Sequence, residues 1–367
     1  MLVTKEEIFK RFWYPVMPIS QMSEQPQSFE LLGQKLVLWL DNSGEAVVAT
    51  DRCCHRSAQL SKGRVIEGNI VCPYHGWRFN GEGTCVKVPQ LEDNSQIPKT
   101  YQIDTYLARE RYGYIWVCLG EPLNEIPNIP EAGDRALDSR YTDKPCNGNG
   151  GNLRTDKPHN DNALSRNFRL IPVLYEIRHC AGLRVMENEF DLAHPSFVHT
   201  ATFGSEDRFI PDAIEVTETD YGLKGTAIMD IANTEQHMDI VNTEQQNLEM
   251  GKETITINLD LDWYLPFTSK LRINYPDGLV HIIVNTATPI NDSSSQMVQF
   301  CLRNDTEAET KAEDVAAFER AVASEDKAIL ETTDYDVPLD LKDEEHMMTD
   351  KPGILMRKKL KALLSKN

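Results

Sequence analysis

Residues 53–75 read CCHRSAQLSKGRVIEGNIVCPYH, placing a Cys-x-His pair and a Cys-x-x-His pair sixteen residues apart. Cys53, His55, Cys72 and His75 supply two thiolates and two imidazoles. Residues suited to tight loops surround them: Ser57 and Lys62-Gly63 after the first pair, Pro73 and Gly76 around the second. Two metal readings compete. One is a structural zinc site with two cysteines and two histidines. The other is a [2Fe–2S] centre with a cysteine pair on one iron and a histidine pair on the other. Spacing favours the second. A zinc finger of this ligand set groups its cysteines in one pair and its histidines in another, whereas here each loop gives one of each. Cys54 is out of phase with this spacing and reads as a packed thiol.

Around this stretch, residues 1–125 alternate short strand-like runs with turns. LVLWL (36–40), AVVAT (46–50), NIVCP (69–73) and YIWVCL (114–119) are the strands, and DNSGE and NGEG are turns. The reading is a small all-β module. Residues 126–182 read as a linker and flexible insertion, with an Asn- and Gly-rich loop at 143–167. Residues 183–367 form a second, α+β domain: a partly helical 183–199, long alternating strands over 212–303, and a helix over about 308–330.

The chain has 367 residues and a net charge of −19, so nucleic acid and anionic membranes are poor partners for it as a whole. It has no apolar run long enough for a transmembrane helix, and its N-terminus lacks a secretory h-region. The expected location is the cytoplasm, where eight cysteines are free thiols or metal ligands rather than disulfides.

A second constellation lies in VMENEFDLAHPSFVHTATFG (185–204), with Asn188, Asp191, His194 and His199. The histidines are five apart, which does not give a shared face on an ideal helix, and Pro195 argues against one. Two imidazoles and one carboxylate make the facial triad of non-heme Fe(II) oxygenases. On the later helix, Val315, Phe318, Val322 and Ile329 form an apolar stripe, and Glu325, Asp326 and Glu319 lie at its margins. Periodicity does not choose among the three acids.

DRCCHRSAQLSKG followed by CPYHGWRFNGEGTC resembles the N-terminal domain of the Rieske non-heme iron oxygenases, and SEDKAILET (324–332) is similar to the segment supplying the carboxylate ligand in their monooxygenase and demethylase branch. The resemblance implies a Rieske domain followed by a helix-grip (START-like) antiparallel-sheet catalytic domain. It implies a [2Fe–2S] cluster on Cys53, His55, Cys72 and His75, and a mononuclear Fe(II) on His194, His199 and Asp326. Asp191 would bridge His194 to His75 of a neighbouring copy in a homotrimer, with Asn188 helping to position the site. Electrons from NAD(P)H would arrive through a separate ferredoxin or reductase. O2 would then hydroxylate or oxidatively demethylate a small organic substrate. The alternatives are a ring-hydroxylating dioxygenase, a chlorophyll-pathway-like oxygenase, an electron-carrying Rieske protein with a ligand-binding domain, and a zinc-stabilised binding module.

Residues 51–90 are net positive within an acidic chain, which suits an acidic electron donor. The basic segment 354–367 is expected to pack on the body rather than lie on a membrane. Trp263, Tyr264, Phe267, Tyr275 and His281 are the candidate pocket liners.

Overall fold

Strands form where apolar alternation marks them, and they assemble into two units. The computed structural model describes residues 1–136, 168–202, 214–232 and 254–365; the Asn- and Gly-rich stretch 143–167 lies outside them. One unit comprises Glu7–Asn128 with Gly133–Ala163. The other comprises Met1–Glu6, Ile129–Ala132 and Leu164–Asn367.

Among its described residues the first unit holds ten strands: β1 (Tyr14–Pro18), β2 (Gln27–Leu31), β3 (Gln34–Leu40), β4 (Ala46–Thr50), β5 (Arg64–Ile66), β6 (Asn69–Val71), β7 (Arg78–Phe79), β8 (Cys85–Lys87), β9 (Thr105–Arg111) and β10 (Tyr114–Cys118). They form a six-stranded sheet in the order β1-β10-β9-β4-β3-β2 and a four-stranded sheet β5-β6-β7-β8. Trp39, Ile70 and Phe79 pack with Cys53, Cys72 and Trp77 in one apolar cluster. Both thiols of the sequence motif therefore sit in the core.

The second unit is a seven-stranded antiparallel sheet in the order β11-β17-β16-β15-β14-β13-β12. Its strands are β11 (Arg169–Arg178), β12 (Glu215–Glu218), β13 (Gly222–Ala232), β14 (Thr254–Tyr264), β15 (Thr268–Asn274), β16 (Val280–Pro289) and β17 (Ser295–Arg303). β11 falls inside 126–182, read above as linker. Pro172 and a bulge between Pro172 and Leu174 interrupt its alternation, as an edge strand tolerates.

Among the described residues, four α-helices accompany the sheet: α1 (Gly182–Glu189), α2 (Pro195–Val198), α3 (Ala312–Leu330) and α4 (Lys351–Leu364). α3 packs against one face through Val315 and Ala316, which meet Ile171, Val173 and Cys301. This is the helix-grip arrangement. The expected apolar stripe fails at its C-terminal end: Ile329 is 53% exposed, and Leu330 is buried instead. α1 approaches the sheet at Gly182, where a Cβ would meet Phe267 Cγ at 3.0 Å and the Ala287 carbonyl at 3.2 Å. The basic C-terminal segment packs as α4, burying Met356 and Leu360 and pairing Arg357 with Glu187 and Glu344. No described helix is long and apolar enough to cross a membrane.

Candidate iron centres

His194 and His199 bracket α2. Pro195 occupies its first turn, where a missing N–H costs nothing. The single turn is closed by Val198 N–H to His194 O (2.8 Å) and His199 N–H to Pro195 O (3.1 Å). It brings the two Nε2 atoms within 3.2 Å of each other. Asp326 Oδ1, on α3, lies 3.5 Å from His194 Nε2 and 3.3 Å from His199 Nε2. Two donors each about 2.1 Å from one ion and at right angles are roughly 3 Å apart, so this triangle fits one face of an octahedral metal.

The surrounding hydrogen bonds aim the lone pairs inward. His194 Nδ1 donates to the Asp191 carbonyl (2.9 Å), and His199 Nδ1 donates to Glu325 Oε2 (2.9 Å). Each ring hydrogen therefore points away from the triangle, leaving both Nε2 atoms as acceptors beside a carboxylate. Without a cation, three electron-rich atoms would face one another. Asn188 Nδ2 donates to Asp326 Oδ1 (3.1 Å) and fixes the carboxylate. Thr202 donates to Glu325 Oε2 (2.8 Å), holding it against His199. Glu325 was an undifferentiated boundary acid in the sequence. Only the packing of α3 beside α2 reveals its role.

The Asp191 carboxylate does not bond His194 within the chain. Its Oδ1 accepts from the Ala193 N–H (2.7 Å), and its Oδ2 is 4.0 Å from His194 Nδ1. The side chain is 37% exposed.

In the other unit, the two ligand loops share one backbone form. Ser57 N–H donates to Cys53 O (2.9 Å), and Gly76 N–H donates to Cys72 O (3.1 Å). Cys53 N–H donates to Ala58 O, and Cys72 N–H to Trp77 O, at 2.9 and 2.8 Å. Ser57 and Gly76, each four residues after its cysteine, both adopt left-handed φ (59° and 74°). Asp51 anchors the first loop by accepting from the Ser61 N–H and hydroxyl, at 2.7 and 2.6 Å.

The loops bring His55 and His75 together, with ring centroids 4.7 Å apart; His55 stacks on Trp77 at 4.4 Å. The Nδ1 atoms of both histidines are buried without a hydrogen-bond partner, a costly arrangement unless each binds a metal. Burial pushes the Cys53 thiol up to about 12, with Cys72 adding to the rise. A thiolate there requires a neighbouring positive charge. Two buried thiols opposite two inward nitrogens fit a [2Fe–2S] cluster. Cys54 is exposed rather than packed, because the turn throws the residue after Cys53 outward.

A cavity of ≈ 190 Å³ opens on the His194–His199–Asp326 triangle. Aliphatic side chains, including Leu259, Leu271, Ile283 and Val322, form its walls together with several polar groups. Of the candidate liners, Tyr275 and His281 face it. Trp263 and Phe267 are core residues, and Tyr264 stacks on Tyr221.

Residues 12–106 match the Rieske [2Fe-2S] domain family, and residues 178–366, just over half of the chain, match the vanillate O-demethylase oxygenase C-terminal domain. The chain is 25% identical to the methylxanthine N1-demethylase NdmA of Pseudomonas putida, over 98% of this chain and 90% of that protein. It is 31% identical to the aminopyrrolnitrin oxygenase PrnD of Pseudomonas fluorescens, over 51% and 45%. Among solved structures, NdmA in complex with theobromine, as its QL mutant, matches with a TM-score of 0.75 at 24% identity, covering 99% of this chain and 92% of that one. Dicamba monooxygenase bound to dicamba matches at 0.72 and 20%, covering 97% and 98%. At these identities the structural matches speak to the fold.

Proposed function

The chain belongs to the Rieske non-heme iron oxygenases, in the branch built on the vanillate O-demethylase oxygenase C-terminal domain, and from that membership we propose that His194, His199 and Asp326 hold its catalytic iron while Cys53, His55, Cys72 and His75 hold its cluster. When bound, the cluster supplies single electrons and the iron activates O2 for hydroxylation or oxidative demethylation of a small organic substrate.

The residues of the chain do the rest. The Asp191 carbonyl and Glu325 orient the two imidazoles, and Asn188 orients Asp326. The aliphatic part of the cavity wall, Leu259, Leu271, Ile283 and Val322 among it, excludes water from around the substrate. The observation that carries this reading is the 3.2–3.5 Å triangle of acceptors with both imidazole hydrogens tied outward.

Three further elements belong to the proposal. The active form is a ring-shaped homotrimer in which Asp191 links His194 to His75 of a neighbouring copy; the uncommitted, partly exposed Asp191 Oδ2 supports this. Electrons come from NAD(P)H through an acidic ferredoxin or reductase, steered by the exposed Arg52, Arg56, Lys62, Arg64 and Lys87. The protein works in a reducing cytoplasm, where its seven described cysteines stay free or metal-bound.

Iron analysis of the red-brown holoprotein tests the reading. Three irons per chain are expected, with the visible band bleached by dithionite. Two irons would reduce the protein to an electron carrier, and a colourless zinc protein would remove the cluster altogether.

A further inference from the structure

Glu319 is seven residues before Asp326 on α3, so both face the same side and are about 10.5 Å apart along the axis. Both line the same cavity. The metal triangle occupies one end, and Glu319 marks a second polar end, with His281 and Gln299 from the adjacent strands β16 and β17. All three side chains are at least nine-tenths buried. Val322 and Ala323 lie between the two polar ends on the helix.

The hydrogen bonding at this end is incomplete. Gln299 Nε2 donates to Glu319 Oε2 (3.2 Å), but Gln299 Oε1 has no partner. Arg303 donates to His281 Nδ1 (3.3 Å), which leaves the ring hydrogen on Nε2. That Nε2 is also without a hydrogen bond, and Glu319 Oε1 is 3.5 Å away, too far to satisfy it well. A buried donor and a buried acceptor left open on a cavity wall are costly until something fills them.

The charges restrict what fills them. Burial pushes the Glu319 carboxyl up to about 8 against the pull of Arg303, and burial pulls His281 down to about 3 with Arg303 reinforcing it. The cluster is therefore uncharged near neutrality. Among the described residues, Arg178 is the only Lys or Arg lining the cavity, and it is committed to Glu176 (3.1 Å) and the Ala323 carbonyl (2.8 Å). Arg303, behind His281, is held by Asp305 at 2.6 Å. A carboxylate or sulfonate would find no free counter-charge here and would face two carboxyl groups, the buried Glu319 and the partly buried Glu189.

We propose that His281, Gln299 and Glu319 form the substrate-recognition end of the cavity, taking an uncharged group that both accepts and donates hydrogen bonds, of the carboxamide or lactam type, on a small ring system whose oxidisable carbon faces the triangle. The acceptor of the ligand meets His281 Nε2–H, and its donor meets Gln299 Oε1. Glu319 is the positioning residue that holds the Gln299 amide in register. The assignment rests on the oxygenase reading for which end is reactive, but binding itself can be read without turnover.

His281, Cys301 and Glu319 also place their donor atoms within 4.8 Å of one another. A second metal ion is disfavoured because it would sit beside the Arg303 guanidinium that already occupies His281 Nδ1.

The test compares four probes of one shape against anaerobic holoprotein, by thermal shift and equilibrium dissociation constant: 4-methoxybenzamide, 4-methoxybenzoate, 4-methoxybenzylamine and 4-ethylanisole. The benzamide is expected to bind about tenfold more tightly than the apolar ethylanisole, the equivalent of about one good hydrogen bond, with the two charged probes weakest. Glu319→Leu and, independently, Gln299→Leu should each bring benzamide and ethylanisole to within about twofold, with iron content unchanged. Tighter binding of the benzoate or the amine, or survival of the benzamide preference in both variants, would overturn the proposal. So would a fourth metal ion per chain that Cys301→Ala removes. Iron content is measured in the same samples, so loss of the triangle's iron would count against the oxygenase reading without being mistaken for failure of this one.

Discussion

The two candidate centres are built in opposite ways. The cluster ligands lie within 23 consecutive residues, on two loops of the same backbone form closed by equivalent hydrogen bonds. The triangle takes two ligands from either end of one helical turn and the third from α3, 127 residues later. A local site carries its geometry in spacing. A long-range site exists only once the sheet has brought its elements together. Cys53 and Cys72 are part of the first unit's apolar core, so loss of metal is expected to disturb that core, whereas the triangle sits on a sheet and helix whose own packing does not include it.

Removing one ligand from each centre gives the largest contrast. Cys72→Ser should remove both cluster irons and collapse the first unit, because Cys53 and Cys72 are part of its apolar core; visible absorbance and urea unfolding read the two losses. Asp326→Ala should remove one iron of three and abolish product formation while leaving the cluster spectrum and melting temperature in place. If Asp326→Ala lost the cluster as well, the two centres would not be independent.

The supporting shell of the triangle should respond more mildly. Glu325→Gln replaces the charged acceptor of His199 Nδ1 and should weaken iron binding about 10- to 100-fold, read by chelator competition. Asp191→Asn should leave three irons per chain but slow electron transfer from the cluster, read as slower reoxidation in single turnover. A normal rate would sever the proposed link between neighbouring copies.

The equivalent loop positions sharpen the comparison within the first unit. Gly76→Ala places a Cβ at a left-handed φ and 3.1 Å from Pro89 Cγ, and should cost about 1–2 kcal/mol. Ser57 already bears that conformation as a non-glycine and accepts from the Arg52 guanidinium at 2.7 Å. Ser57→Gly should therefore be close to neutral, the strain relieved offsetting the bond lost. Denaturant titration of both variants decides it.

The smallest effect concerns the packing of α4. Arg184 holds the Glu344 carboxyl down to about 2 against partial burial, with Arg357 adding. Its folded value lies below its ordinary one. The stabilisation is therefore complete above about pH 4.5 and is lost as pH falls toward 2. Glu344→Gln should flatten that part of the acid-denaturation profile, monitored by helical circular dichroism.

Local spacing made the candidate cluster residues stand out and most of the strands and α3 readable, since alternation and residue pairing operate over a few residues. β11 was hidden by Pro172 and its bulge, and the turn that exposes Cys54 left no signature in spacing. The three acids at the margin of α3 were equivalent by periodicity, and resemblance alone singled out Asp326. In the fold they diverge: Asp326 joins the triangle, Glu325 holds His199, and Glu319 closes the far end of the cavity. By itself, the sequence determined which residues are capable of holding metal and which segments become strands and helices, because side-chain chemistry and backbone periodicity are local properties. Only the tertiary structure decided which acid faces which histidine and which polar atoms remain open in the cavity, because those depend on the rotation of α3 against a sheet assembled from strands far apart in the chain.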